Sequence, residues 1–357
     1  MLDLFSIKKA QLMALDVGTN SVKLVNLKET KKGYQLLNFG IMPLKPDTIV
    51  EGSIADPETV GEAIKNLLEM EKIKTKNVVT AVSGTSVVIK KIQLPFMTQG
   101  ELEDSIHLEA EHYIPFDIEE VNLDFHILTK FVEGEENPEQ MEVLLVAVKK
   151  ENVNEYAELI SGLGLKPLIV DVDAFAIENA YDFNYEIEEN KIIALVDIGA
   201  GMTNINILEN GVTTFTRDIS FGGNNFNQAI QDELNVGFET AEKLKFGEET
   251  DGISLKDVVP LLVSTAEEFS EELQKSFDFF RSTGDYEISK IVLSGGCSKI
   301  AGMDKHLSEN LGLTTETLDP FKNIIINEKI FDPEYIQYIA PFAAVGLGLA
   351  LRKLGDR

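Results

Sequence analysis

The pattern of apolar and polar positions predicts antiparallel strands over residues 11–38, with a turn at residues 31–33. Within this region, residues 15–25 (LDVGTNSVKLV) read as an apolar strand, an aspartate, a glycine-bearing turn and a second strand. An altered copy of the same pattern lies at residues 195–208 (LVDIGAGMTNINIL). The repeat therefore predicts two hairpins of the same construction, one in each half of the chain.

The remaining elements follow from apolar spacing and turn residues. Asp56 and Pro57 form an N-cap and first helical position, so residues 55–73 should be a helix that covers a sheet face, followed by a buried strand at 78–84. The next unit, residues 87–165, has a βαββα rhythm and is predicted to be an inserted subdomain. Its predicted elements are strands 87–94, 121–128 and 143–149 and helices 99–113 and 152–162.

The second half begins after a polar linker at residues 186–190. We expect a first lobe over 1–189 and a second over 190–340, which contains a helical subdomain at 224–285. Residues 291–303 predict a strand, a glycine turn and a helix. An apolar helix is expected at 338–354, within a closing segment at 341–357.

Length and composition add three limits. A chain of 357 residues with 44% hydrophobic content favours two lobes with a cleft between them. The net charge of −28 disfavours general binding to nucleic acid or to anionic lipid. The single Cys297 excludes an internal disulfide and fits a reducing, cytoplasmic compartment. We identify no export signal and no apolar run near the ~18–20 residues of a membrane-spanning helix.

The two hairpins carry the chemistry of a phosphate site. Gly18, Gly199 and Gly201 can take positive φ, which would let backbone N–H groups approach phosphate oxygens. Asp16 and Asp197 can hold a hydrated Mg²⁺. Two such hairpins facing each other would form a nucleotide clamp.

In their order along the chain, these motifs resemble those of the actin-like ATPases, which include actin, sugar kinases, DnaK-type chaperones, FtsA and MreB. The motifs are the two hairpins, the strand and helix at 168–183, LSGGCSKIAG at 293–302 and AAVGLGLAL at 343–351. The resemblance implies an α/β, two-lobed actin-like (ribonuclease H-like duplicated) fold that binds ATP and Mg²⁺, with the βαββα insert in its first lobe. It also implies that the closing helix returns to that lobe.

At the level of individual segments, the sequence is most similar to the PilM family, the cytoplasmic actin-like proteins of bacterial type IV pilus assembly. The segments that carry this resemblance are LDVGTNSVKLV, IQLPFM, LEAEHYIPF, VDVDAFA and DIGAGMTNI. This resemblance implies an ATP-binding component of the inner-membrane platform. Its partner would be the N-terminal cytoplasmic peptide of a PilN-like membrane protein, held in a groove between the insert and the first lobe. Such a protein would reach the cytoplasmic face of the inner membrane through that partner. Other pilus platform and motor proteins are further possible partners.

The resemblance also assigns site residues. The first hairpin contributes Asp16, Gly18, Thr19, Asn20, Ser21 and Lys23, of which Ser21 and Lys23 would touch phosphate oxygens, and the second contributes Asp197, Gly199, Gly201 and Thr203. Gly295, Gly296 and Ser298 would lie against the adenosine, where a glycine side chain would fill the space that base and ribose need, while Glu242 and Lys245 would reach ribose and base. Asp16 and Asp197 would hold Mg²⁺ through water.

Catalysis is the least determined part of the site. Asp173 matches the position of the residue that polarises the attacking water or hydroxyl, and Asp171, two residues earlier, is the alternative. Because an aspartate is short and Met202 stands beside the expected phosphates, we expect nucleotide binding with at most weak ATPase activity.

Two other functions remain open. An FtsA-like filament protein would carry a basic amphipathic helix after a C-terminal linker, whereas here only GDR follows Leu354. A small-molecule kinase of the same superfamily would need Asp173 to face an acceptor hydroxyl, and the compact insert is more typical of a module that binds a partner.

Overall fold

The computed structural model describes residues 11–129, 138–250, 252–284 and 286–356. Its strands are β1 Met13–Val17, β2 Ser21–Thr30, β3 Gly33–Pro43, β4 Ile49–Val50, β5 Ser53–Ile54, β6 Asn77–Val82, β7 Val87–Pro95, β8 Val121–Ile127, β9 Gln140–Lys149, β10 Lys166–Val172, β11 Ile192–Ile198, β12 Thr203–Glu209, β13 Val212–Ile219, β14 Lys290–Ser294 and β15 Thr314–Thr317. Its α-helices are α1 Pro57–Met70, α2 Gln99–Ala110, α3 Lys150–Gly162, α4 Asp173–Asn184, α5 Gly223–Leu234, α6 Phe238–Lys245, α7 Leu255–Ser282, α8 Met303–Leu311, α9 Pro333–Ile339 and α10 Ala344–Leu351.

Two five-stranded sheets have the same arrangement. The first has the order β10-β6-β1-β2-β3 and the second the order β13-β12-β11-β14-β15. In each sheet the first three strands along the chain are antiparallel, and the last two join in parallel. The two predicted hairpins are β1–β2 and β11–β12. The duplicated construction predicted from the repeat is thus confirmed.

Helices α4 and α10 lie between the two sheets and connect their cores. All five residues of β1 are buried, and α10 contacts β1, β2 and α4. The contact between α10 and α4 is so close that a Cβ on Gly348 would lie 1.6 Å from the carbonyl oxygen of Ala176. On the outer faces, α1 and α3 cover the first sheet, and α7 covers the second with Phe269 and Phe277.

Local signals explain where the helices begin and end. Asp56 caps α1 by accepting a hydrogen bond from the Thr59 N–H, and Pro57 occupies the first turn as predicted. Helix α2 begins in a capping box at Thr98 but ends at Ala110, before the predicted residue 113. Residues 111–113 form a turn, and Pro115 disfavours helical backbone at Ile114, the residue before it.

The insert is a three-stranded antiparallel sheet, in the order β7-β9-β8, covered by α2. Leu94 and Ile114 are buried in its core, so the apolar stretches at 93–97 and 112–116 contribute to packing. Helix α3 follows β9 but buries Tyr156 and Ile160 in the core of the first lobe. Part of the β8–β9 connection, residues 130–137, lies outside the described residues.

The C-terminal apolar region corrects two expectations. The single helix expected at 338–354 is divided into α9, a 3-10 turn at Ala340–Ala343 that contains Pro341, and α10. The run Pro333–Leu351 has 19 residues and a mean hydropathy of 1.3, which is the length and composition of a spanning helix, so the expectation of no such run was wrong. In the fold, 61% of its most apolar window is buried against other parts of the protein.

Candidate functional site

Both hairpins open into one cleft between the lobes. The open space in this cleft is about 130 Å³. Its walls come from the β1–β2 and β11–β12 turns, the start of α4, the end of α6 and the glycine turn after β14. These are the elements that the sequence motifs singled out. The predicted residues that line the cleft are Asp16, Gly18, Thr19, Asn20, Ser21, Lys23, Asp173, Asp197, Gly199, Glu242, Lys245, Gly295 and Gly296.

The first hairpin places a cation beside a carboxylate. Asp16 and Lys23 are register partners on β1 and β2, and the Lys23 Nζ lies 3.2 Å from Asp16 Oδ2. Burial alone would lower the pKa of the Lys23 ammonium, but the carboxylates of Asp16 and Asp197 raise it above its usual value. Lys23 therefore remains a charged group in the carboxylate-rich cleft.

The second hairpin presents Asp197 from the opposite lobe. Parallel pairing of β11 with β14 sets Ser294 beside it, and the Ser294 hydroxyl donates to Asp197 Oδ1 at 2.6 Å. Burial raises the pKa of Asp197 to about 6, although this hydrogen bond and Lys23 act in the other direction. Ser294 was not predicted to be a site residue. Its position at a strand end, directly before Gly295, could have indicated that it lies at the site.

Of the two candidate catalytic aspartates, Asp173 faces the cleft. Burial raises its pKa to about 8, with a further contribution from Asp16, while a hydrogen bond with Ser83 opposes the shift. Asp171 instead accepts from the N–H of Val172 and lies 3.1 Å from the Arg352 Nε. Asp171 thus pairs with the C-terminal segment rather than with the cleft.

The hairpin glycines are needed for space and not for positive φ. Gly18, Gly199 and Gly201 all lie outside the positive-φ glycines, so that expectation was wrong. Each hairpin turn is closed instead by a backbone hydrogen bond, from Gly18 N to the Ser21 carbonyl and from Gly199 N to the Met202 carbonyl. A Cβ on Gly201 would lie 3.0 Å from Thr19 Oγ1, so the two hairpins touch at this point.

The glycine turn after β14 packs closely against two other segments of the protein. Gly295 has a φ of 83°, and its Cβ would lie 2.4 Å from the carbonyl oxygen of Ile198. A Cβ on Gly296 would lie 2.6 Å from the ring of Phe342. Close contacts with other residues of the protein therefore favour glycine at both positions, and the contact of these glycines with an adenosine stays a prediction.

Glu242 and Lys245 form an ion pair at the α6 end of the cleft. The Lys245 Nζ lies 2.6 Å from Glu242 Oε2, which also accepts from Asn227 Nδ2 at 2.6 Å. Lys245 is buried, and its Nζ lies 4.9 Å from the centre of the Phe246 ring. The Glu242 side chain remains 28% exposed, so its carboxylate is held at the cleft surface.

Three predicted residues do not line the cleft but contact residues next to it. Gly201 contacts Thr19, the Thr203 hydroxyl donates to the Phe221 carbonyl, and the Ser298 hydroxyl donates to the Gly295 carbonyl. Other residues line the cleft without having been predicted: Gly52, Ser83, Tyr156, Asn204, Phe246 and Phe342. Tyr156 donates to the carbonyl of Gly52, 104 residues away, and no local motif announces such a contact.

The carboxylates suit a cation that is held through water. Within the described ranges, no group of three or more His, Cys, Asp or Glu side chains is arranged to hold a metal ion directly. Asp16 and Asp197 nevertheless line the same cleft from opposite lobes. Their oxygens are the ligand type that Mg²⁺ prefers when it keeps several of its waters.

A second cavity of about 290 Å³ adjoins the cleft. It lies between the first residues of β7, in the insert, and the last residues of β13, in the second lobe, and residues 82–85 and 172–174 of the first lobe complete it. Both β7 and β13 are edge strands of their sheets. Ser83, Asp173 and Asn204 line the cavity and the cleft alike, so the two spaces share a wall.

Comparisons with known proteins agree with this architecture. A family model described as "Type IV pilus assembly protein PilM" matches residues 14–354. The solved "PilM-PilN type IV pilus biogenesis complex" is 30% identical, with a TM-score of 0.86, and the match covers 98% of this chain and 100% of that one.

More distant similarities are to FtsA in sequence and to MreB5 in structure. FtsA of Bacillus subtilis (strain 168) is 24% identical over 253 residues, which are 65% of this chain and 57% of FtsA. MreB5 of Spiroplasma citri bound to AMPPNP is 16% identical, with a TM-score of 0.51, and the match covers 92% of this chain and 97% of that one. The predicted two-lobed actin-like fold is confirmed.

Proposed function

The chain belongs to the PilM family of type IV pilus assembly proteins, and we propose that it binds Mg-ATP in its cleft and a peptide of a PilN-like membrane protein beside its insert. The observation that carries the nucleotide proposal is the meeting of Asp16 and Asp197, from two matching hairpins, in one cleft. The solved relative in complex with PilN supports the partner. The protein would then act at the cytoplasmic face of the inner membrane through that partner.

In the nucleotide proposal, each wall of the cleft has one task. The hairpin amides, Ser21 and Lys23 bind phosphate oxygens, since N–H groups and an ammonium are their natural donors. Asp16 and Asp197 hold the waters of Mg²⁺, which offsets phosphate charge. At the other end, the Glu242 carboxylate accepts from ribose hydroxyls.

Asp173 sets the expectation for hydrolysis. A carboxyl with a pKa of about 8 is largely protonated at neutral pH and is then a poor acceptor for a proton from water. We therefore expect hydrolysis of bound ATP to be slow compared with its exchange for free ATP.

In the peptide proposal, the 290 Å³ cavity is the groove. Its walls include the edge strands β7 and β13, and an extended peptide gains affinity by adding to the edge of a sheet. Val87, Val88 and Ile89 supply apolar contacts for its side chains. The groove has walls from the first lobe and the insert, as the resemblance implies, and a third wall from β13.

Two binding experiments test the proposal. Asp16→Ala and Asp197→Ala should abolish binding of a fluorescent ATP analogue with Mg²⁺, while Asp232→Ala, an exposed change on α5, should not. Unchanged affinity for the ATP analogue in both cleft variants would contradict the assignment of the two hairpins as a nucleotide clamp.

A labelled peptide from the N-terminal tail of the host's PilN-like protein should bind with a free energy of about −8 kcal/mol, which is a micromolar Kd. No binding to the folded, ATP-loaded chain would contradict the partner.

A further inference from the structure

Asp218 joins the second lobe to the base of the insert. It lies near the end of β13, and its Oδ2 accepts a hydrogen bond of 2.7 Å from the backbone N–H of Gly84, in the first lobe. Its Oδ1 accepts from Asn204 Nδ2 at 2.5 Å. Both carboxylate oxygens are therefore engaged, and hydrogen bonds to a carboxylate are stronger than those between neutral groups.

The backbone around Gly84 has little freedom to follow a movement of the second lobe. Gly84 has a φ of 86°, and a Cβ there would lie 2.7 Å from the Glu51 carbonyl oxygen and 3.3 Å from the Met202 Cε. It lies in the short connection between β6 and β7, through which the chain leaves the first lobe and enters the insert. The Asp218 hydrogen bond thus fixes the start of the insert against the second lobe.

This hydrogen bond also lies where the two cavities meet. Ser83, directly before Gly84, lines both the cleft and the groove, and so does Asn204, the other partner of Asp218. The groove runs between β7 and β13, which Gly84 and Asp218 connect at one end. A rotation of one lobe relative to the other therefore changes the width of the groove and the length of this hydrogen bond together.

We infer that Asp218 is a positioning residue that couples the nucleotide cleft to the peptide groove, an inference that rests on the proposed function of both. Mg-ATP contacts both lobes and keeps Asp218 within reach of Gly84, which holds the groove at the width that binds the peptide. Separation of the lobes breaks the contact and loosens the groove. Because linkage is reciprocal, the peptide must tighten ATP binding by the same factor.

The test measures peptide affinity with and without Mg-ATP in the full chain. We expect Mg-ATP to tighten peptide binding about fivefold or more in the unmodified protein and to have almost no effect in Asp218→Ala. Asp218→Asn keeps an acceptor oxygen and should keep most of the coupling. The matched control is Glu209→Ala, which removes a 3.7 Å contact with Lys91 between the same insert strand and the second lobe, and should leave the coupling intact.

Amide hydrogen exchange provides a second measurement that needs no ligand. In the nucleotide-free protein, Asp218→Ala should speed exchange at Gly84 by about tenfold or more, because the amide loses its acceptor. Equal coupling in the unmodified protein and in Asp218→Ala would overturn the inference, as would ATP and peptide that bind independently to the unmodified protein. Failure of either ligand to bind would contradict the proposed function itself, and the coupling with it.

Discussion

Lys23 and Asp16 face each other across the first hairpin, with the ammonium 3.2 Å from the carboxylate. The same lysine also interacts with the charges of Asp197 and Asp173, so one cation serves three carboxylates. Under the proposed function, a phosphate in the cleft would draw Lys23 towards itself and leave Asp16 for the waters of Mg²⁺. Phosphate binding and metal binding would then be linked through this one lysine.

Replacement of Lys23 by methionine should therefore weaken ATP binding by about ten- to a hundredfold, the effect of a lost charged hydrogen bond. The assay is a titration of a fluorescent ATP analogue in Mg²⁺. Lys28→Met, an exposed change on the same strand, is the control and should leave the affinity unchanged. Equal affinities in the two variants would show that Lys23 does not contact phosphate.

Asp173 should make stability depend on pH. Its pKa is about 8 in the folded protein against an ordinary 3.8, so between these values the unfolded chain releases a proton that the folded chain retains. The contribution of Asp173 to stability is complete below pH 4 and is lost as the pH rises to 8. Asp173→Asn, which carries no charge, should gain stability over the unmodified protein by at most about 1.4 kcal/mol per pH unit in this window.

Urea unfolding of both proteins at several values between pH 5 and pH 8 measures this difference. Asp232→Asn, at an exposed site, should show no such trend. A constant difference between Asp173→Asn and the unmodified protein across the range would mean that Asp173 is ionised throughout.

Glu242 should act on the nucleoside and not on the phosphates. It lies at the α6 end of the cleft, held by Asn227 and Lys245, whereas Lys23 lies in the first hairpin. Glu242→Gln should therefore weaken ATP and ADP by the same factor, about threefold to tenfold for one changed hydrogen bond. Competition titrations with both nucleotides give the ratio. A larger loss for ATP would place Glu242 near the γ-phosphate.

The parts of the site that could be predicted from sequence are those built from neighbouring residues. The register of the first hairpin places Asp16 opposite Lys23. The register of the second hairpin, which repeats the pattern, places Asp197 opposite Asn204. The conformation of the hairpin glycines was not predictable, because a backbone hydrogen bond across each turn determines it.

Contacts between segments that are distant along the chain could not be predicted from the sequence. Tyr156 reaches Gly52 over 104 residues, and Asp218 reaches Gly84 over 134 residues. Nothing near Asp218 indicates that its partner is a backbone amide of the other lobe. Such contacts depend on how α3 and β13 pack against the first lobe in the folded protein.

The packing of α10 on α4 gives the sharpest prediction for the fold. A Cβ on Gly348 would lie 1.6 Å from the Ala176 carbonyl oxygen, and backbone on both sides leaves no side chain that could turn away. Gly348→Ala must therefore separate two helices that join the cores of both lobes. We expect a loss of about 3 kcal/mol or more in the free energy of unfolding, which is at the upper end of the range for overpacked cores.

Gly100→Ala is the matched control, because Gly100 lies in α2 with open space around it. This substitution should be neutral or should stabilise the protein by up to about 1 kcal/mol. Similar stabilities of the two variants in urea unfolding would show that α10 and α4 do not pack this closely.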